Sequence, residues 1–221
     1  MRFILGASLA LICASTAASY ADEYSDTTSG YNSVAGLRGS LAFASTVSAH
    51  DNLTPPNTLK GNTGVGGGGS VYWGTRLPYG FKAELELLYR YLPLSDATIN
   101  GASGSLGGSA KLFAPMANVY WNVPIGADDF HPFIGGGVGY AWNELGVDKV
   151  GGTSFPIIHN DSWRLAYNFM AGASIPMGTG ARMTAMYRWL HEDIDIACSL
   201  GTKCGGGLNS QSVDVGIEYD L

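Results

Sequence analysis

Residues 212–221 (SVDVGIEYDL) alternate without a break: Val213, Val215, Ile217, Tyr219 and Leu221 are apolar, whereas Ser212, Asp214, Gly216, Glu218 and Asp220 are polar or lack a side chain. Period-two alternation puts the two sets on opposite faces of an extended strand, and about ten tilted residues suffice to cross a bilayer. The segment reads as a strand with one oily and one wet face. A strand of a soluble sandwich alternates in the same way, so the other end of the chain has to separate the two readings.

There, Arg2 is the only charge before Asp22, and residues 3–12 form an apolar core too short for a spanning helix but of signal-peptide length. Ser19 and Ala21 place small residues where a signal peptidase reads, so residues 1–21 are predicted to be a signal peptide cleaved before Asp22. Cys13 follows Ile12 rather than a small residue, which argues against lipid attachment. An exported chain that closes on its alternating strand is expected.

The presence of 32 glycines with only 14% charged residues suits a glycine-rich sheet better than a helical enzyme. No stretch after the leader approaches the roughly 20 apolar residues of a membrane helix, so a membrane-inserted chain must cross with strands closed into a barrel. The formal net charge of −6, more negative still once Arg2 leaves with the leader, provides no electrostatic footprint for nucleic acid.

The alternating pattern recurs along the chain. Residues 36–46 set Leu37, Leu41 and Phe43 against Arg38 and Ser40, and residues 65–77 set Val71, Trp73 and Leu77 against Ser70, Tyr72 and Arg76. In residues 81–91, Phe81, Ala83, Leu85, Leu87, Tyr89 and Tyr91 face one way and Lys82, Glu84, Glu86 and Arg90 the other, with Leu88 the exception. Residues 111–123 oppose Val119, Trp121 and Val123 to Asn118, Tyr120 and Asn122, with Pro115 expected to mark a strand end or a bulge. Residues 132–142 oppose Ile134, Val138, Tyr140 and Trp142 to Gly135, Gly137, Gly139 and Ala141. Residues 163–175, 181–190 and the closing segment complete a predicted set of eight strands, the smallest number that closes a membrane barrel.

Connections alternate in length. Pro78-Tyr79-Gly80, residues 124–129 and residues 176–180 are short breaks of turn residues, whereas residues 52–62, 93–108, 144–161 and 191–210 are longer polar segments. The predicted fold class is all-β: an eight-stranded antiparallel transmembrane β-barrel with short periplasmic turns and four longer extracellular loops. The expected organisation is a leader at 1–21, a short lead at 22–35 and the barrel at 36–221.

Charge placement is an independent test, because a charge on the lipid face at the bilayer midplane costs about 2–4 kcal/mol. Arg38, Arg76, Arg90, Arg164, Arg182 and Arg188 all fall on the polar phase, as do Lys82, Glu84, Glu86, Asp214 and Glu218. These residues are the candidate lumen network, expected to pair across an interior too narrow for a wide channel. A soluble lipocalin-like barrel would reverse the faces, with charges outward. Trp73, Tyr91, Trp121, Trp142, Trp163, Trp189 and Tyr219 near strand ends fit interfacial girdles and favour lipid.

The segments AELELLYRY at 83–91, HPFIGGGVGYAW at 131–142, YRWL at 187–190 and the closing SVDVGIEYDL resemble the small Gram-negative outer-membrane β-barrels: the OmpA transmembrane domain and the opacity-type surface proteins. The resemblance covers essentially the whole mature chain. It implies outer-membrane lipid and lipopolysaccharide as surroundings. It also implies that the barrel-assembly machinery reads the last strand, with Val213, Val215, Gly216, Ile217, Tyr219 and Leu221 as the signal, although members usually end in Phe. With nothing expected after that strand, the cell-wall tether of OmpA is not carried over.

Other motifs have plain readings. Gly135, Gly137, Gly139 and residues 66–69 lack the lysine and helix of a phosphate loop; inward glycines are expected instead to leave lumen space for the long arginines opposite. Asn52-Leu53-Thr54 matches a glycosylation acceptor by chance. His191, Glu192, Asp193 and Asp195 are expected to be solvated at the rim, with a divalent cation or lipopolysaccharide as a possible contact. No serine pairs with a histidine as in a lipid A hydrolase, and no catalytic, cofactor or metal residues are assigned. Cys198 and Cys204 are expected to form a disulfide, since zinc would want ligands beyond a third from His191. The expected function is envelope structure and surface or host interaction through the loops. A narrow porin is the alternative, with a rim enzyme or lipocalin-like binding barrel behind it.

Overall fold

Period-two alternation dominates the chain, and the computed structural model is almost wholly strand. It describes residues 32–50, 58–99, 102–124, 130–150, 153–154, 160–178, 180–197 and 203–221. The strands are β1 (Asn32–His50), β2 (Thr58–Thr63), β3 (Gly66–Arg76), β4 (Phe81–Ile99), β5 (Ala102–Asn122), β6 (His131–Val150), β7 (Thr153–Ser154), β8 (Asn160–Pro176), β9 (Ala181–Ala197) and β10 (Lys203–Asp220). β2 and β3 are one stave interrupted at Gly64 and Val65, since both pair with β1 on one side and β4 on the other. β7 pairs only with β6.

All neighbours are antiparallel, and β10 returns to β1 with Leu37 opposite Ile217 and Leu41 opposite Val213. Eight staves thus close a barrel without a free edge along its waist. The tightest turn is Pro78–Gly80, where Tyr79 and Gly80 both adopt positive φ (64° and 78°) and Leu77 N–H donates to Phe81 O at 2.8 Å.

Alternation resolves the faces. Leu85, Val138 and Phe169 are 62%, 60% and 61% exposed on the outside, whereas Glu86, Arg90 and Arg188 are at most 1% exposed inside. Charges inward and apolar residues outward is the membrane arrangement, and it overturns the lipocalin-like alternative. Trp73, Tyr91, Trp121, Trp163 and Tyr219 stand outward as expected of girdle residues, and Trp142 lies opposite Trp163 across β6 and β8.

Three local expectations change. The strands outrun their apolar patterns: β1 begins at Asn32 rather than 36, and β4 and β5 continue through most of 93–108. Likewise β6, β8, β9 and β10 extend into 144–161 and 191–210, and β2 lies within 52–62. Beyond the lipid a ladder needs backbone pairing but no oily face, so periodicity fades before the strand does. Leu88 is in phase with the charged residues and fully buried inside. Pro115 neither ends β5 nor bulges it; it lies opposite Leu87, and towards β6 the register is the same on both sides of it, Phe113 with Trp142 and Met116 with Gly139.

With its staves closed into a ring, the barrel should resist detergent until heated. Unheated and boiled samples are expected to migrate differently on a denaturing gel; identical migration would contradict the closed wall.

Candidate functional site

The lumen is where these strands assemble chemistry, because every second residue of each stave points into it. β6 contributes Gly135, Gly137 and Gly139. A Cβ at Gly137 would collide with the Asn118 amide, and one at Gly139 with Pro115 O and Met116 Sδ. The space these glycines leave is taken by side chains of the adjacent β5 rather than by arginines opposite. The arginines instead lie over Gly68 and Gly216, where an added Cβ would come within 3.1 Å of Arg90 Cγ and 2.6 Å of Arg38 Cγ.

At mid-barrel, Arg38 of β1 donates from both Nη atoms to Glu84 of β4 at 2.7 and 2.8 Å, and from Nη1 to Glu86 at 3.2 Å. Its guanidinium carbon lies 3.6 Å from the Tyr72 ring centroid. Arg188 of β9 grips Glu86 with two hydrogen bonds of 2.7 and 2.9 Å, and its Nε lies 2.9 Å from Asp214 Oδ2 on β10. Asn118 of β5 adds a 2.7 Å bond to Glu86, and Asn168 of β8 donates to Asn118. The chain Glu84–Arg38–Glu86–Arg188–Asp214 therefore bridges β1, β4, β9 and β10, with all five side chains almost completely buried.

Towards the turn end, Glu218 accepts from Arg76 at 2.6 Å and Lys82 at 2.7 Å, and Arg76 also meets Asp220 at 2.6 Å. Lys82 reaches Glu84 at 3.3 Å, joining the two clusters. Arg182 is half-buried and lines, with Ser174 and Tyr120, a cleft of about 20 Å³, on the scale of one water. Arg164 is half-buried near the outer end of β8.

Arg90 departs from the expected pairing. It donates to Ser210 and Ser212 at 2.5 Å each, and Ser212 in turn donates to Asp214 at 2.7 Å. Short hydroxyls of β10 reach it through this relay because Glu86 is already taken by Arg188 and Arg38. Sequence reading missed Asn118, Asn168, Tyr72, Tyr120, Ser210 and Ser212; each lies on an inward phase, the one signal that could have found them.

Above the charges, Leu88, Leu112, Ala114, Met116, Ala141, Ala166 and Leu190 form a buried apolar layer, with Ala42, Leu92, Ala110 and Leu208 in a second cluster. Below, Tyr120 and Phe133 meet edge-on at 5.6 Å. The mid-lumen bridge is thus covered by an apolar layer on its outer side, while towards the turns it continues into the Lys82–Glu218–Arg76 cluster.

On the closing strand Val213, Val215, Tyr219 and Leu221 are exposed outward, Ile217 is partly exposed, and Gly216 is buried inward. Cys198 lies outside the described residues, whereas Cys204 is in β10 opposite Ile196. Strand alternation divides the rim cluster. His191 packs against Tyr167 and Trp189, with Nδ1 2.8 Å from Asn209 Oδ1 and Nε2 3.5 Å from Asp193, while Glu192 is 1% exposed inside. Among the described residues no group of three His, Cys, Asp or Glu side chains is placed to hold a metal.

A closed eight-stave barrel with an oily belt and a charged, filled lumen defines an integral membrane protein of the outer membrane. The chain belongs to the outer membrane protein beta-barrel domain family, whose sequence model matches residues 5–220. Among curated proteins, none matches. Of solved structures, the outer membrane protein OprG from Pseudomonas aeruginosa is 14% identical with a TM-score of 0.54, over 87% of this chain and 96% of that one. Neisserial surface protein A is 15% identical with a TM-score of 0.48, over 89% and 100%. The outer membrane protease OmpT from Escherichia coli is 9% identical with a TM-score of 0.49, over 90% and 99%. At these identities the OprG likeness is one of fold alone.

Proposed function

We propose that the barrel is a plugged membrane anchor that presents its outer hairpins at the cell surface, serving envelope structure and contact with a host or cell-surface ligand. The observation that carries this reading is the buried bridge Glu84–Arg38–Glu86–Arg188–Asp214 under an apolar layer, which fills the middle of the lumen with side chains. Outer-membrane lipid and lipopolysaccharide would surround the wall, and the barrel-assembly machinery would read the outward face of residues 213–221. Residues 1–21 would be removed on export. A rim enzyme is disfavoured because His191 and Glu192 face opposite sides of the wall and cannot act on one substrate.

Planar-bilayer recording tests the plug against the narrow porin. Small or intermittent openings are expected; large steady currents would mean that the charges line open water, and the porin would replace the anchor.

A Cys198–Cys204 bridge remains part of the proposal, its closed segment contributing about 2–3 kcal/mol at most in the chain-entropy model. Unfolded, unreduced mature protein should show no free thiol. Two reactive thiols per chain would remove the disulfide.

A further inference from the structure

The turn-side mouth of the lumen carries more basic than acidic charge. Its water-sized cleft is lined by Arg76, Lys82 and Arg182, with Glu218 as the one acid among the lining residues. Arg182 of β9 is directly opposite Glu218 of β10, where a cross-strand ion pair would ordinarily form. Both Glu218 oxygens are taken from the other side instead, Oε1 by Arg76 at 2.6 Å and Oε2 by Lys82 at 2.7 Å. Asp220, the next acid along β10, meets Arg76 at 2.6 Å. Three cations therefore stand against two acids at this mouth, and Arg182 brings the surplus to the cleft.

A second observation lies deeper in the same wall. Thr184, the next inward-facing residue of β9, lines the cleft and is 4% exposed, and its Oγ1 is buried with no hydrogen-bond partner among the described residues. Its place in the ladder accounts for this. Gly216 of β10, opposite Thr184, has no side chain to offer, and the room beside that glycine is filled by the apolar stem of Arg38, whose Cγ would lie 2.6 Å from an added Cβ. A buried hydroxyl without a partner is costly, and an acceptor brought to it would relieve that cost. Water would satisfy the hydroxyl but not the surplus charge; an anion does both. Size then selects the anion. A cleft on the scale of one water, with Tyr120 and Phe133 among its lining residues, suits the flat edge of a carboxylate better than a tetrahedral phosphate.

We propose that the turn-side mouth is a carboxylate-binding site facing the periplasm, with the Arg182 guanidinium pairing with the anion and the Thr184 hydroxyl donating to it. The site is at the opposite end of the barrel from the surface hairpins, so it goes beyond surface presentation and does not depend on it.

The probes are sodium acetate and the dipeptide N-acetyl-alanyl-alanine, added at constant ionic strength to the full mature protein in lipid nanodiscs, with arginine and threonine side-chain signals followed by NMR. Saturable shifts of Arg182 and Thr184 are expected. Arg182→Gln should abolish saturation. Thr184→Val should weaken binding about tenfold, the loss of one charge-assisted hydrogen bond, whereas Thr184→Ser, which keeps the hydroxyl, should bind as the unmutated protein does. Each variant should keep the heat-dependent gel shift, and should Arg182→Gln lose it, the contrast between the valine and serine changes still decides. Equal binding of acetate and dipeptide would make a free carboxylate the ligand, and tighter binding of the dipeptide would make it the end of a peptide; both uphold the site. Linear shifts that sodium chloride reproduces, equal binding of the amidated dipeptide, tighter binding of phosphate, or equal affinity in the valine and serine variants would each overturn it. So would no response at all, which would mean that the cleft holds only water.

Discussion

Glu86→Ala is expected to lower barrel stability by about 3–5 kcal/mol, the usual cost of removing one side of a buried ion pair. Glu86 is the hub of the mid-lumen bridge, accepting from Arg188, Arg38 and Asn118. Without it Arg38 keeps its two bonds to Glu84, but Arg188 retains only the Nε contact to Asp214, and its two Nη atoms lose the carboxylate they grip. The damage should therefore be carried mainly by Arg188. Glu86→Ala combined with Arg188→Ala should cost less than the sum of the two single changes, by roughly 0.5–3 kcal/mol, because the double change leaves no stranded partner. Urea unfolding in lipid, followed by tryptophan fluorescence, measures all three. Small additive losses would mean that water already solvates these charges, which would also count against the plug.

The fold was legible because the two faces of a membrane strand differ so sharply in chemistry. Phase alone grouped Arg38, Glu84, Glu86, Arg188 and Asp214 on one face, and the cost of a charge against lipid assigned that face to the lumen once the wall was read as membrane-inserted. Partner choice was not legible. Phase put Arg90 and Glu86 on one strand face without showing that Arg188, from across the barrel, reaches Glu86 first and leaves Arg90 to the Ser210 and Ser212 hydroxyls. Stave order and stagger decide which side chains meet, and a period of two carries no information about stagger. Leu88 looked like an exception for the same reason: polarity was equated with the lumen, whereas the outer half of this lumen is packed with Leu, Ala and Met.

The lipid face supplies the second large effect. Val138 lies midway along the outward phase of β6, between Ile134 and Trp142, and is 60% exposed. In water, Val138→Arg would be an ordinary surface change, within about 0.5 kcal/mol of neutral. In a bilayer the guanidinium must either enter hydrocarbon or drag water and headgroups towards it, so a loss of about 2–4 kcal/mol is expected. Val138→Leu at the same site should be nearly silent, since it changes volume on a face that packs against fluid lipid rather than a fixed core. Arginine at Phe130, outward and just before β6, should cost only about 0–1 kcal/mol, because the penalty falls towards the interface. Reversible unfolding from lipid vesicles would measure this depth dependence. A flat profile, with Val138→Arg no worse than the change at Phe130, would mean that this face never meets hydrocarbon, whatever the phase of its residues.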